Sequence, residues 1–129
     1  MNENAKRWVE ALRSGEYDQA NGALRNGDGF CCLGVACDLA RVELGTEWEE
    51  SDDGAARLAG SSSFGYLPVG VQRWLGLASN DGSFWPGGGG TETLASLNDD
   101  GKTFSEIAAV IESEPEGLFA RGIPKEDRE

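Results

Sequence analysis

One segment limits the possible folds more than any other. Residues 31–41 read Cys-Cys-Leu-Gly-Val-Ala-Cys-Asp-Leu-Ala-Arg and form the least polar stretch of a chain that carries a formal net charge of −12 over 129 residues. Leu33, Ala36, Cys37 and Ala40 recur at helical spacing, so the segment predicts a central buried helix. Its small side chains let such a helix lie tight against a sheet. The length suits one compact domain, 1–129. Four Trp, five Phe and two Tyr supply bulky core material, which argues against long disorder despite the charge.

Other elements follow from local pattern. Residues 4–13 predict a helix with Ala5, Trp8, Val9 and Leu12 on one stripe, Asn4 as its cap and Gly15 at its stop. Asn26-Gly27, between Ala23-Leu24-Arg25 and Gly29-Phe30-Cys31, signals a hairpin with positive φ at its central residues. Residues 43–53 hold six acids in eleven positions and read as an exposed loop anchored by Trp48. A short strand is expected at 64–67. Pro68 stands at the first position of a helix with Val71, Trp74 and Leu75 on one face, ending near Gly76. Residues 78–93 form a long Gly-rich loop, a length that inside a small domain usually marks function or disorder. Residues 94–98 read as a strand. Thr103-Phe-Ser-Glu106 is a capping box opening a last helix with Phe104, Ile107, Ala108 and Ile111 inward. The tail, about 122–129, is expected to fray. The result is an α+β domain, a mainly antiparallel sheet packed with three or four helices.

Composition then narrows the chemistry. The chain contains no histidine, which removes Ser-His-Asp and Cys-His catalysis and most catalytic zinc sites. An enzyme would depend on carboxylates or on an activated lysine, so a non-enzyme is expected. The cysteines at 31, 32 and 37 lack the paired spacing of zinc ligands and read as reduced, buried thiols of a cytoplasmic protein, with no metal and no cofactor. A pI near 4.3 opposes nucleic acid and anionic membrane as partners. The polar N-terminus predicts no signal peptide, and no apolar run approaches a membrane span.

Three groups are candidates for binding. Arg25, Arg57, Arg73 and Arg121 are widely separated; guanidinium forks bind phosphate bidentately and four could converge on an anionic small molecule. The plainer alternative is pairing with the many carboxylates. Phe84-Trp85 in the Gly-rich loop offers a stacking platform for a flat base, or else an anchor that pins the loop to the core. Asn98-Asp99 could read an adenine edge or a ribose hydroxyl, or else form an Asx turn. Carboxylate pairs such as Asp52/Asp53 leave open a small hydrolase, and the acids at 47–53 leave open an acidic inhibitor of a host protein acting as a DNA mimic.

A resemblance sharpens the choice. Trp8-Val-Glu-Ala-Leu-Arg-Ser-Gly-Glu-Tyr17, Gly22-Ala-Leu-Arg25, Phe30-Cys-Cys-Leu-Gly-Val-Ala-Cys37, Leu67-Pro68, Arg73-Trp-Leu-Gly-Leu77, Leu97-Asn-Asp99 and Phe104-Ser-Glu-Ile-Ala108 together resemble a set of small phage and prophage proteins over most of residues 6–112. The chain also resembles the anti-Thoeris sponge family. That resemblance implies a homo-oligomer, a dimer or higher, in the cytoplasm of an infected bacterium. It implies a protein that holds cyclic ADP-ribose signals of TIR immune enzymes, or cyclic oligonucleotides, without cleaving them. By the same resemblance Phe84 or Trp85 stacks on the base, Arg57 and Arg121 take phosphates, and Asn98 and Asp99 contact polar groups.

Overall fold

A computed structural model describes residues 1–61, 63–87 and 90–120. Among these residues there are five α-helices and two small sheets, an α+β domain. The helix count exceeds the three or four expected because residues 94–98, read as a strand, are helical.

Helix α1 (Glu3–Arg13) buries Ala5, Trp8, Val9 and Leu12, the stripe the spacing predicts. Its cap is Asn2 rather than Asn4: the Asn2 Oδ1 accepts the Ala5 N–H at 2.8 Å, while the Asn4 amide donates to the Trp74 carbonyl at 3.0 Å. Helix α2 (Cys32–Leu44) is the expected buried core helix, with Cys32 to Cys37 and Ala40 all inside. Its first turn is fastened from two sides. The Trp8 indole N–H donates to the Cys32 carbonyl at 2.9 Å, and the Cys31 sulfur caps the helix by accepting the Gly34 N–H. Gly34 is obligatory for this contact, since a Cβ there would stand 1.7 Å from the Leu24 carbonyl oxygen.

The larger sheet has strand order β1 (Asp18–Gln19), β3 (Gly29–Phe30), β2 (Arg25–Asn26), β5 (Ala55–Leu58), β4 (Trp48–Glu50). Strands β2 (Arg25–Asn26) and β3 (Gly29–Phe30) form the hairpin signalled by Asn-Gly, although Asn26 pairs with Gly29 and the turn itself is Gly27-Asp28. Only Gly27 takes positive φ there, +60°. Strand β1 (Asp18–Gln19) runs parallel to β3, the one parallel pairing among the described residues. Strand β4 (Trp48–Glu50) lies where the acid-rich stretch 43–53 suggested a loop; β5 (Ala55–Leu58) follows that stretch, pairs with β4 and adds antiparallel to β2. Residues 64–67 are not a strand; the Phe64 carbonyl accepts one backbone bond from Leu24 at 2.6 Å and the chain then bends.

Helix α3 (Val69–Leu75) has Pro68 as its N-cap, one residue before the position expected, and stops at Gly76 in the left-handed region. Part of the Gly-rich stretch is ordered into β6 (Ser83–Phe84) and β7 (Glu92–Thr93), an antiparallel pair. Helix α4 (Leu94–Asp99) is capped by Thr93, whose hydroxyl accepts the Ser96 N–H, and it buries Leu94 and Asn98 one turn apart. Helix α5 (Phe104–Glu112) carries the predicted capping box and inward face, and packs against α1. No helix among the described residues is long and apolar enough to cross a membrane.

Candidate functional site

The sheet register separates the first two candidate arginines. Arg25 sits opposite Ala56, and Arg57 is the next residue along β5, so the two side chains lie on opposite faces of the sheet. Each is already engaged. The Arg25 guanidinium lies 5.7 Å from the Phe30 ring centre and 5.6 Å from that of Trp48, donates to the Gly27 carbonyl and reaches Glu50 at 3.7 Å. Arg57 packs over Phe64 at 5.2 Å and pairs with Glu49 at 3.7 Å. Pairing with carboxylates is therefore the arrangement realised at both positions. Lys6, Arg7, Arg13 and Arg41 also stand against acids, while Arg73 is exposed. Arg121 lies outside the described residues.

The Arg25 face holds a second polar knot. The Asp38 carboxylate accepts from the Tyr17 hydroxyl at 2.7 Å, the Arg41 Nε at 2.9 Å and the Trp48 indole at 3.0 Å. Burial alone would raise the Asp38 pKa; the hydrogen bonds from Trp48, Arg41 and Tyr17 outweigh it and hold the carboxyl below its ordinary range. The Tyr17 hydroxyl is pushed up, first by burial and then by its bond to Asp38. All three donors are satisfied within the protein, and Asp38 thereby ties α2 to β4 and to the α1–β1 connection.

Asn98 does structural work as well. Its side chain is fully buried, the one buried polar residue among those described. Its Oδ1 accepts the Cys32 N–H at 3.1 Å and the Gln19 Nε2 at 2.9 Å, and its Nδ2 donates to the Ala20 carbonyl at 2.8 Å. These bonds join α4 to the start of α2 and to the end of β1, and they leave nothing free for a ligand.

Asp99 points elsewhere. It is exposed, accepts the Gly22 N–H at 3.2 Å, and lines a cleft of about 380 Å³ with Asp81, Thr93, Ser96 and Tyr66. The carboxylates and hydroxyls of this cleft suit a polyol or an amine better than a phosphate.

Phe84 and Trp85 part company. Successive strand residues face opposite ways, so one of the two must turn inward. Phe84 is 5% exposed and belongs to the core, which removes it as a stacking platform; Trp85 is 57% exposed. The Trp85 N–H donates to the Glu116 carbonyl at 2.8 Å in an antiparallel bridge, so an otherwise open indole stands on a fixed backbone. Two adjoining clefts, of about 450 and 610 Å³, share Phe84, Trp85 and Glu116 as a wall. Ser83, Thr91 and Gly117 complete the first; Pro86, Val110 and Pro115 help complete the second.

Of the seven residues singled out from sequence, then, Phe84, Trp85 and Asp99 line clefts, only Trp85 and Asp99 are exposed there, and the clefts of Phe84 and Trp85 share no described residue with that of Asp99. Glu116 and Thr91 were missed. Glu116 meets Trp85 only through a pairing that spans 31 positions, which no local pattern encodes.

No curated protein and no solved structure matches the chain. A family pattern does, over residues 1–115, a span that contains all five helices and both sheets. The chain belongs to that family, the domain of unknown function DUF8296.

Proposed function

We propose that this chain is a non-catalytic binder that sequesters a cyclic nucleotide immune signal, of the cyclic ADP-ribose or cyclic oligonucleotide type, during phage infection of a bacterium, with the base stacked on Trp85. One observation carries the reading: an indole 57% exposed, fixed through its own backbone to Glu116, forms the shared wall of two clefts. A rigid exposed indole gives a base a large stacking face at little entropic cost, and stacking on such a ring is worth about 1–3 kcal/mol per base. Holding a ligand intact asks only for affinity, which suits a chain without histidine. The binder works as a homo-oligomer in the host cytoplasm. Val42, Leu44 and Val69, exposed at the end of α2 and the start of α3, are apolar surface suited to burial between copies.

The test is retention. The protein is mixed with cyclic ADP-ribose isomers and cyclic oligonucleotides, freed of unbound ligand, heat-denatured, and the released material is chromatographed. Intact nucleotide in near-stoichiometric amount supports the reading, cleaved product replaces it with a hydrolase, and an empty supernatant removes it.

A second reading has its own support. The outer strand β4 and its turn expose Glu47, Glu49, Glu50, Asp52 and Asp53 along one edge of the larger sheet. An acidic edge of this kind suits an inhibitor that docks on a basic host protein, a DNA mimic included. Neutralising those acids abolishes function on this reading and leaves nucleotide retention unchanged on the first.

A further inference from the structure

We infer that the Trp85 wall is a receptor for a planar organic cation, and that Glu116 confers the preference for positive charge. The inference rests on the reading of Trp85 as the binding wall and concerns only the ring that lies on the indole, not the phosphates of the nucleotide. Trp85 and Glu116 are directly paired across an antiparallel bridge. Such pairing puts both side chains on one face, with Cβ atoms about 4.5–5.5 Å apart. A ring lying on the indole therefore lies within reach of the carboxylate. Glu116 is exposed, has no ion pair among the described residues, and lines both clefts. Indole is the best cation–π face among side chains, because its quadrupole presents negative charge above the ring. The larger cleft adds apolar walls from Pro86, Val110 and Pro115, which lower the local polarity and strengthen both attractions. The surrounding field of a chain at −12 acts in the same sense. A cationic, N-alkylated heterocycle satisfies all of these at once. A neutral ring gains stacking alone, and an anionic ring is opposed by Glu116.

Three closely related rings isolate the charge: 1-methylnicotinamide (a pyridinium cation), nicotinamide (neutral) and nicotinate (anion). Each is titrated into the full-length protein while the four tryptophan indole N–H signals are followed by NMR, with Trp85→Phe identifying the signal of Trp85. The expected result is a saturable shift of the Trp85 signal, with the cation bound about tenfold more tightly than the neutral ring and the anion more weakly than either. Glu116→Gln narrows the gap between cation and neutral ring to what the indole face alone supplies, while leaving the neutral ring's own binding unchanged. Equal affinity for all three rings in the unmodified protein overturns the inference and leaves Trp85 as an uncharged stacking wall. A Trp85 signal that moves with none of the rings overturns it too. Nucleotide retention, measured separately, then decides whether the proposed function falls with it.

Discussion

Replacing Asn98 by Ala distinguishes a residue that holds the fold from one that holds a ligand. The substitution removes the acceptor of the Cys32 N–H and the donor to the Ala20 carbonyl. Cys32 is fully buried, so its N–H has no route to water. An orphaned buried group costs about 1–3 kcal/mol, and the second backbone group and the small void add to that. The total comes to about 3–4 kcal/mol, a large part of the 5–15 kcal/mol typical of a domain. For a chain of this size that is a fall in Tm of about 10–15 °C. The assay is thermal unfolding by circular dichroism without ligand, with Asp99→Ala as the neighbour control. Asp99 is exposed and accepts one backbone bond, so its loss costs about 1 kcal/mol or less. If Asn98→Ala unfolds within about 2 °C of the parent, the buried hydrogen-bond argument is wrong and Asn98 is free to be a ligand contact.

Other perturbations follow from the same geometry. Burial pushes the thiol of Cys31 up to about 11 and raises Cys32 and Cys37 as well; a thiol reagent at pH 8 should leave the native protein unlabelled and modify three cysteines in denaturant, and labelling of the folded chain would contradict the packing of α2. Gly34→Ala would normally favour a helix, but a Cβ placed 1.7 Å from the Leu24 carbonyl forces α2 off the β2 hairpin; denaturant titration should show a loss of about 3 kcal/mol or more. Asp38 is depressed in the fold, so its ionised form contributes stability above its unfolded value, about pH 4, that is lost as pH falls through the folded value. Asp38→Asn should accordingly show a lower Tm at neutral pH and a smaller further fall between pH 5 and pH 2 than the parent. Trp85→Ala touches an exposed ring and should leave the denaturation midpoint nearly unchanged, within about 0.5–1 kcal/mol, while removing ligand binding.

The sequence was most legible where one face of an element is uniformly apolar. Trp8, Val9 and Leu12 mark α1, Leu33, Ala36, Cys37 and Ala40 mark α2, and Phe104, Ile107 and Ile111 mark α5; all are buried as their spacing requires. Elements with short or mixed faces were misread. Strand β5 buries only Ala56 and Leu58, and alternation over four residues containing two alanines is too weak a signal. Its partner β4 is a polar edge strand, which looks like a solvated loop until a neighbour supplies its hydrogen bonds. Residues 94–98 have apolar positions that fit either period over so short a run; the cap at Thr93 and the one-turn spacing of Leu94 and Asn98 were the available signs of a helix. At the site, the side chains of Phe84 and Trp85 had to face opposite ways, but which of them faces inward depends on tertiary packing. Likewise nothing local distinguishes a free arginine from one paired across strands, as Arg57 is with Glu49.

The central claim is that Trp85 is the surface on which a nucleotide is held. The most direct measurement is retention of cyclic ADP-ribose by the parent protein and by Trp85→Ala, compared at equal concentration after the variant's fold has been checked by circular dichroism. The account predicts near-stoichiometric, intact nucleotide from the parent and at least about a tenfold weaker hold by the variant, the loss of one base–aromatic stack. Equal retention by both proteins would contradict it and move the ligand to another face of the molecule.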